Sequence, residues 1–476
     1  MNPPLSRRDF RHTKIVCTLG PATETYERVR DLATAGMNVA RLNMSHGSHA
    51  LHEGIIRRIK GLNRVLNHPI AVLLDLQGPE IRTGDVVSPL SVKVGEVLRL
   101  TVGPVEDSEC QTIFVNYEDL VDAVAIGDRV TLDNGLINLE VLERGTRLLR
   151  CRVLDGGTVG GRRHVNLPGV HIKLPGITDK DREDIDFAVR QGVDFIALSF
   201  VRSADDVVEA RRMLDAAGSG ARLVAKIENH EGVEKFDSIL EVADAIMVAR
   251  GDLGVEVPMQ ELPVIQRRLV RACARAGKPV IIATHLLESM IKNPLPTRAE
   301  VTDVANAVYE QADALMLSAE TSVGDYAVRS VEVLDAITRR IEKEAGLDFH
   351  RERQPLDAGE ELARSAVRLA DDLQSRALVV ITRRGRLAHL VARYRPRSAI
   401  IYAFTNMSSI RRKLWLLRSV VPMMTRLSRD PEKTVQNAIL RLHIRNRLLP
   451  GDPIVIVSDV LAGAQKFSSI QVRHFS

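Results

Sequence analysis

The sequence predicts an α/β protein: a (β/α)8 TIM barrel, a small β-barrel lid domain inserted into it, and a C-terminal α/β domain with an open sheet. Three observations predict this. Eight short apolar runs alternate with segments of helical period; most runs end in a polar residue; and the alternation breaks once, into a stretch of short β segments.

The eight runs are Lys14–Leu19, Val39–Ser45, Ile70–Leu76, Phe195–Val201, Arg222–Glu228, Ala245–Gly251, Pro279–His285 and Ala314–Glu320. Each has strand length and the near-continuous apolar character of a parallel strand covered on both faces. Between them lie TYERVRDLATAG, SADDVVEARRMLDAAG and PVIQRRLVRACARAG, with apolar residues at spacings of three and four and a terminal Gly suited to a C-cap. Ser45, Asp75, Ser199, Glu228, Asp252, Thr284 and Glu320 sit at or just past the C-terminal ends of the runs, the face at which such barrels carry their chemistry.

The third unit is interrupted by SVKVGEVLRLTV, DRVTLDNGLINLEVLE and TRLLRCRVLD, separated by turn residues, which read as an inserted lid. After the polar segment ERQPLDAGEE come helix ELARSAVRLADDL, strand ALVVIT, helix RLAHLVARY, strand SAIIYAF and a late strand PIVIVSD. The expected division is residues 1–84 and 166–345 for the catalytic barrel, 85–165 for the lid, and 355–476 for a C-terminal regulatory domain. A chain of 476 residues accommodates about three domains.

Composition narrows the function. Aromatic residues make up 4%, too few for a base-stacking platform. No apolar run reaches membrane-spanning length and no secretory h-region opens the chain, so the expectation is a cytoplasmic protein with no membrane partner. Cys17, Cys110, Cys151 and Cys273 are scattered, which fits a reducing compartment. The net charge of +5 is uneven: from Arg376 to Arg418 there are eleven Lys or Arg and no Asp or Glu. Such a run is either a solvated face or a pocket for anionic small molecules; with no recognition motif beside it, nucleic acid is not an expected partner.

The sharpest chemical signal is VAKIEN followed by ARGDLG. Lys226 and Glu228 are two apart on one strand and face the same way. Asp252 ends the neighbouring strand. Two carboxylates on adjacent strand ends suit a hard divalent cation such as Mg²⁺, which leaves its other positions to water and substrate oxygens. A Lys226–Glu228 salt bridge at the barrel mouth is the competing explanation. Gly251 and Gly254 allow an anion to approach backbone N–H groups, or simply make a tight turn. In VARLNMSHGS, Arg41, Asn43 and Ser45 share a face; the Arg suits phosphate, and Asn43 and Ser45 offer either cation-binding oxygens or turn chemistry. Thr284 could position a water or relay a proton. Thr297 and Glu300 form a capping box, a structural feature. Neither a Walker-type loop nor G-x-G-x-x-G is present.

These residues lie within motifs that resemble the pyruvate kinase family: TKIVCTLGPAT, NVARLNMSHGSHA, GPEIRTG, VNLPG, KIENHEGV, IMVARGDLGVE, ESMIKNPLPTRAEVTDVANAV and LSAETSVGDY. The resemblance runs from about Thr13 to the last strand and is strongest over the barrel. It implies transfer of a phosphoryl group from phosphoenolpyruvate to ADP, giving pyruvate and ATP, the last step of glycolysis. It implies Mg²⁺ (or Mn²⁺) on Glu228 and Asp252, and Lys226, Arg41 and Thr284 as catalytic residues. Substrate would be held by Arg41, Lys226, Ser199, Gly251, Asp252 and Thr284, and nucleotide by Arg82, Arg163, Asn43 and His46. K⁺ would be held by Asn43, Ser45, Asp75 and the carbonyl of Leu76. A homotetramer is also implied. Metal-dependent aldolases acting on a pyruvate enolate share KIE with a downstream Asp; the inserted lid and LNMSHG separate them. A non-catalytic regulatory relative is opposed by the intact Lys226, Glu228 and Asp252.

Two departures stand out. Potassium-dependent members usually read Asp-Thr-Lys-Gly-Pro-Glu and potassium-independent ones Asp-Leu-Gln-Gly-Pro-Lys; here Asp75-Leu76-Gln77-Gly78-Pro79-Glu80 mixes the two. Glu80 brings no positive charge to replace the ion, so K⁺ dependence is expected. The effector loop, Thr-Lys-Ser-Gly-Arg-Ser in sugar-phosphate-sensing members, is Thr382, Arg383, Arg384, Gly385, Arg386 and Leu387 here. A phosphorylated allosteric effector (a hexose or ribose phosphate, or a nucleotide) is the expectation, with an unregulated enzyme the alternative.

Overall fold

The structure, a computed structural model, describes residues 10–85, 88–103, 111–428, 430–445, 447–462 and 465–475. Cys110 lies outside the described residues.

Eight parallel strands close into a barrel: Lys14–Thr18, Val39–Asn43, Ala71–Asp75, Phe195–Leu198, Arg222–Ile227, Ala245–Ala249, Val280–Ala283 and Ala314–Leu317, each paired with its chain neighbour and the last with the first. Each stops one to three residues short of its apolar run, because the polar residues at its end turn out of the ladder into the loops of the mouth. Val16, Leu73, Phe195, Val224, Met247 and Ile281 fill the barrel interior. A second, larger layer packs between strands and helices, with Ile15, Leu42, Ile196 and Ile246 among its members.

The helices begin and end where local chemistry dictates. Tyr26–Ala35 starts on Thr25, whose side chain accepts the Arg28 N–H, and stops at Gly36. Asp179–Gln191 and Arg298–Tyr309 open on capping boxes, Thr178/Asp181 and Thr297/Glu300. Leu262–Ala276 ends on Gly277 at φ +68°, where a side chain would be strained and would also meet Arg393.

The insertion forms a six-stranded sheet curled around its own apolar core of Leu98, Val130, Leu139, Val141 and Cys151, with a separate two-stranded ribbon. It leaves and re-enters the barrel through an antiparallel pair of segments. The Thr83 N–H donates to the Arg163 carbonyl and the Val165 N–H to that of Ile81, both at 2.8 Å, with Arg82 opposite His164.

The C-terminal sheet has spatial order Val420–Met424, Ile400–Thr405, Ala377–Ile381, Pro453–Ala462, Gln465–His474; the first four strands are parallel and the last antiparallel. Two strands and the helices Ser408–Lys413 and Pro431–Ile444 go beyond the elements expected from sequence. Val420–Met424 contains Pro422, which argues against a strand, yet it lies at the sheet edge, where a missing N–H is tolerated.

This domain closes the N-terminal end of the barrel. Trp415 and Leu416 join the interior core. The basic run from Arg376 to Arg418 proves to be largely a docking surface, neither a solvated face nor a single anion pocket. Arg395 pairs with Asp313 (2.8 Å), Arg412 with Asp194 (3.0 Å), Arg418 with Glu342 (3.5 Å) and Arg397 with Asp348. Arg393 donates to the Gly277 carbonyl (3.1 Å), and Arg411 and Lys413 donate to those of Asn67 and Gly220. Arg383, Arg384 and Arg386 remain exposed.

Candidate active site

The C-terminal mouth of the barrel holds a polar cleft of about 300 Å³. Its walls include Arg41, Asn43, Ser45, His46, Leu76, Arg82, Arg163, Ser199, Lys226, Glu228 and Asp252, so most of the residues singled out from sequence converge on one space. Asp75, with no solvent exposure, lies behind this wall.

Lys226 is the hub. Its Nζ lies 2.9 Å from Glu228 Oε1 and 3.2 Å from Asp75 Oδ1, and donates to Ser199 Oγ at 2.6 Å. The Ser199 hydroxyl in turn donates to the Leu76 carbonyl (2.7 Å). Arg41 Nε donates to Asp75 Oδ2 (2.5 Å) and Arg41 Nη1 to Thr18 Oγ1 (2.9 Å). Nη2 of Arg41 has no partner among the described residues. The Lys226–Glu228 salt bridge is therefore present, inside a larger network.

The electrostatics separate the two buried carboxylates. Burial works to raise the Asp75 pKa, but Lys226 and Arg41 outweigh it and hold this carboxyl below its ordinary range. Burial alone would lower the Lys226 pKa; Asp75 and Glu228 outweigh it and keep the ammonium protonated. Glu228 is pushed up to about 7, by burial first and by the neighbouring Asp252, with Lys226 only partly offsetting them. Its Oε2 accepts the Phe200 N–H at 2.7 Å. Glu228 and Asp252 thus form a hard-oxygen pair short of positive charge, which fits a divalent cation. Among the described residues no cluster of three or more His, Cys, Asp or Glu side chains could hold a metal. Two carboxylates are what Mg²⁺ takes from protein when water and substrate supply the rest.

Thr284 and Gly251 stand apart from the cleft wall. The Gly251 N–H donates to Thr284 Oγ1 (2.7 Å), which donates to the Ala283 carbonyl (2.6 Å). Thr284 and His285 both have positive φ, +66° and +54°, a strained turn for non-glycine residues. Arg250 fixes it from below, donating to the Thr284 carbonyl (2.6 Å) and to Asp303 (2.7 Å). Asn43 Oδ1 accepts the Ser45 N–H at 3.2 Å, so turn chemistry is in place there. On the lid side, Arg82 is held by Glu80 (2.6 Å) and Arg163 by Asp133 (3.3 Å). In the C-terminal domain, Thr382 Oγ1 accepts the Gly385 N–H (3.0 Å), Gly385 sits at φ +85°, and Arg386 opens a helix.

Sequence reasoning missed three contributors. Thr18 braces Arg41 and donates to the Leu317 carbonyl at 2.9 Å. Phe200, at φ +52°, turns its N–H onto Glu228. His164 lies 3.8 Å from Asp252 and 5.6 Å, ring to ring, from Phe200. Thr18 could have been found from its place near a strand end; a positive φ at a phenylalanine leaves no sequence signal.

Comparison with known proteins gives this geometry its context. A family model described as the pyruvate kinase barrel domain matches residues 10–331, and one described as the pyruvate kinase alpha/beta domain matches residues 360–472. A pyruvate kinase of Sporosarcina psychrophila is 40% identical over 475 residues, covering 98% of this chain and 80% of its own length. The human pyruvate kinase PKLR is 41% identical, covering 98% of this chain and 85% of its own. Plastidial pyruvate kinase 3 of Arabidopsis thaliana is 42% identical, with 94% and 78% covered. With both family models matched in order and about 40% identity over 98% of the chain, the chain belongs to the pyruvate kinase family and is a phosphotransferase.

Proposed function

We propose that the chain moves the phosphoryl group of phosphoenolpyruvate to ADP at the barrel mouth, with the roles below. The observation that carries the reading is the charge arrangement on the cleft floor: a protonated, buried Lys226 beside the under-neutralised pair Glu228 and Asp252.

Mg²⁺ or Mn²⁺, when bound to Glu228 and Asp252, supplies charge neutralisation for phosphoryl and enolate oxygens. Lys226 keeps its proton and neutralises charge developing on the transferring group and the enolate. Arg41, braced by Asp75 and Thr18, offers its remaining Nη2 donors to the phosphoryl oxygens. Ser199 orients Lys226. The backbone N–H groups of Gly251 and Asp252 receive the substrate carboxylate; that of Gly251 must exchange its bond to Thr284, which frees a lone pair on Thr284 Oγ1 to take a proton from water while its own O–H, turned from the Ala283 carbonyl, gives one to enolpyruvate. Arg82, Arg163, Asn43 and His46 face the nucleotide.

K⁺ would sit on Asn43, Ser45, Asp75 and the Leu76 carbonyl. Glu80 pairs with Arg82 and brings no positive charge of its own; Asp75 would share the ion with Lys226 and Arg41, which already pair with it. Replacing K⁺ by Na⁺ or tetramethylammonium is expected to lower the rate at least about tenfold; equal rates would refute the dependence.

A phosphorylated effector would bind at Thr382, Arg383, Arg384, Gly385 and Arg386. Support comes from topology: this loop follows Ala377–Ile381, the strand on whose two sides the chain order diverges, where open α/β sheets place ligands. A homotetramer and a cytoplasmic location complete the proposal. The buried thiols Cys17, Cys151 and Cys273 suit a reducing compartment. No helix among the described residues is long and apolar enough to cross a membrane.

The decisive experiment mixes protein, phosphoenolpyruvate, ADP, Mg²⁺ and K⁺ and follows pyruvate. Absence of pyruvate, or an undiminished rate in Lys226→Met, would overturn the proposal.

A further inference from the structure

A second cavity, of about 130 Å³, shares the wall made by His164 and Phe200 with the phosphoryl-transfer cleft but opens between lid hinge and barrel. One side is apolar, with Ile81, Val170, Leu174 and Phe200. Its volume is close to that of an apolar cavity of about 150 Å³ known to take benzene.

The other side carries an unmet demand for donors. Asn166 is 4% exposed, and its Nδ2 donates to Glu256 Oε1 at 2.9 Å. A carboxylate only accepts, so this bond fixes which way the amide points. Asn166 lines the cavity, and its Oδ1 is consequently left buried with no hydrogen-bond partner among the described residues. Glu256 has no Lys or Arg ion pair among the described residues. The nearby guanidinium, that of Arg202, is committed to the carbonyls of Ile172 (2.6 Å) and Leu174. Burial pushes the Glu256 carboxyl up and the neighbouring Asp252 adds to it, with the Asn166 bond and His230 offsetting them only in part.

We propose that this cavity is a ligand site for a small primary amine with an apolar body, its ammonium donating to Asn166 Oδ1 and the Glu256 carboxylate and its body packing on Phe200, Ile81 and Leu174. An ammonium brings three donors and the missing positive charge together. Asn166 belongs to the segment returning from the lid and Glu256 to the barrel helix Arg250–Glu256, so the occupant bridges the two. The inference rests on these residues alone and stands apart from the phosphoryl-transfer reading.

Benzylamine is the probe, titrated into the full chain by calorimetry with Mg²⁺ and K⁺ saturating so that the cation sites are filled. The expected result is saturable one-site binding, with toluene and benzoate at least about tenfold weaker, and at least about tenfold loss in both Asn166→Leu and Glu256→Gln. If Asn166→Leu fails to fold by circular dichroism, Glu256→Gln decides alone. No saturation up to about 10 mM, equal binding of benzoate, or unchanged affinity in the folded variants would overturn the proposal.

Discussion

The two ends of the barrel both bury charge, and they do so to opposite effect. At the N-terminal end, Glu342 has a side chain 3% exposed and accepts the N–H groups of His12 (2.8 Å) and Thr13 (2.6 Å) beside Arg418. Burial would raise its pKa, but Arg418, His12 and these N–H groups outweigh it and hold the carboxyl low. At the C-terminal end, Glu228 is equally buried, has one ammonium and one N–H, and is pushed up to about 7. The difference teaches how to read a buried acid. A carboxylate whose lone pairs and charge are met within the chain is structural. One left short of positive charge beside a second carboxylate is waiting for something from outside.

Substitutions at these two acids test the contrast most severely. Glu228→Gln and Lys226→Met are expected to lower kcat about a thousandfold in the pyruvate assay. For Glu228→Gln the thermal midpoint of the metal-free protein should hold or rise, because the amide removes an under-neutralised charge. Glu342→Gln should do the reverse. Removing one partner of a satisfied buried pair costs about 3 kcal/mol, seen as a lower midpoint, while KM and kcat of the folded enzyme stay within about twofold. Loss of activity without loss of stability at Glu342 would break the comparison.

The pH dependence carries opposite signs at the two ends. In metal-free protein the Glu228 pKa of about 7 lies above the unfolded value of 4.5. Between those values the folded chain holds a proton that the unfolded chain has released. The contribution, of about 3 kcal/mol, is fully present below pH 4.5 and lost as pH rises through 7. Glu342 is held below its unfolded value, so its contribution is present above pH 4.5 and lost as pH falls. Midpoints measured from pH 5 to 8 should show the neutral-side decline in wild type and lose it in Glu228→Gln. The smallest expected effect lies away from both ends. Thr297→Ala removes a capping box and should cost about 1 kcal/mol with no change in KM for either substrate.

Much of this contrast was legible beforehand because it follows from short periods. Lys226 and Glu228 share a face for the same reason that any residues two apart on a strand do, and the polar ends of the apolar runs marked the mouth. The other end was not legible. Arg395, Arg412 and Arg418 read as a charge run because their partners, Asp313, Asp194 and Glu342, lie 76 or more residues away in the chain. Among the described residues Gln465–His474 pairs along one edge alone, and much of its sequence is polar, so no apolar run announces it. The engagement of Gly251 by Thr284 depends on a strained turn that sequence does not encode in any recognisable residue type.

The lid's attachment has a mechanical consequence. Two antiparallel segments, bonded to each other from Ile81 and Thr83 to Arg163 and Val165, behave as a leaf spring: soft to flexion across their flat face, stiff to shear and to splaying. A lid carried on such a leaf is expected to bend most easily about one axis, the one across the flat face of the pair. Arg82 and Arg163 are mounted on the leaf itself. An anion gripping both would therefore act as a gauge of the swing angle, stiffening the leaf at whichever setting brings the two guanidinium groups together.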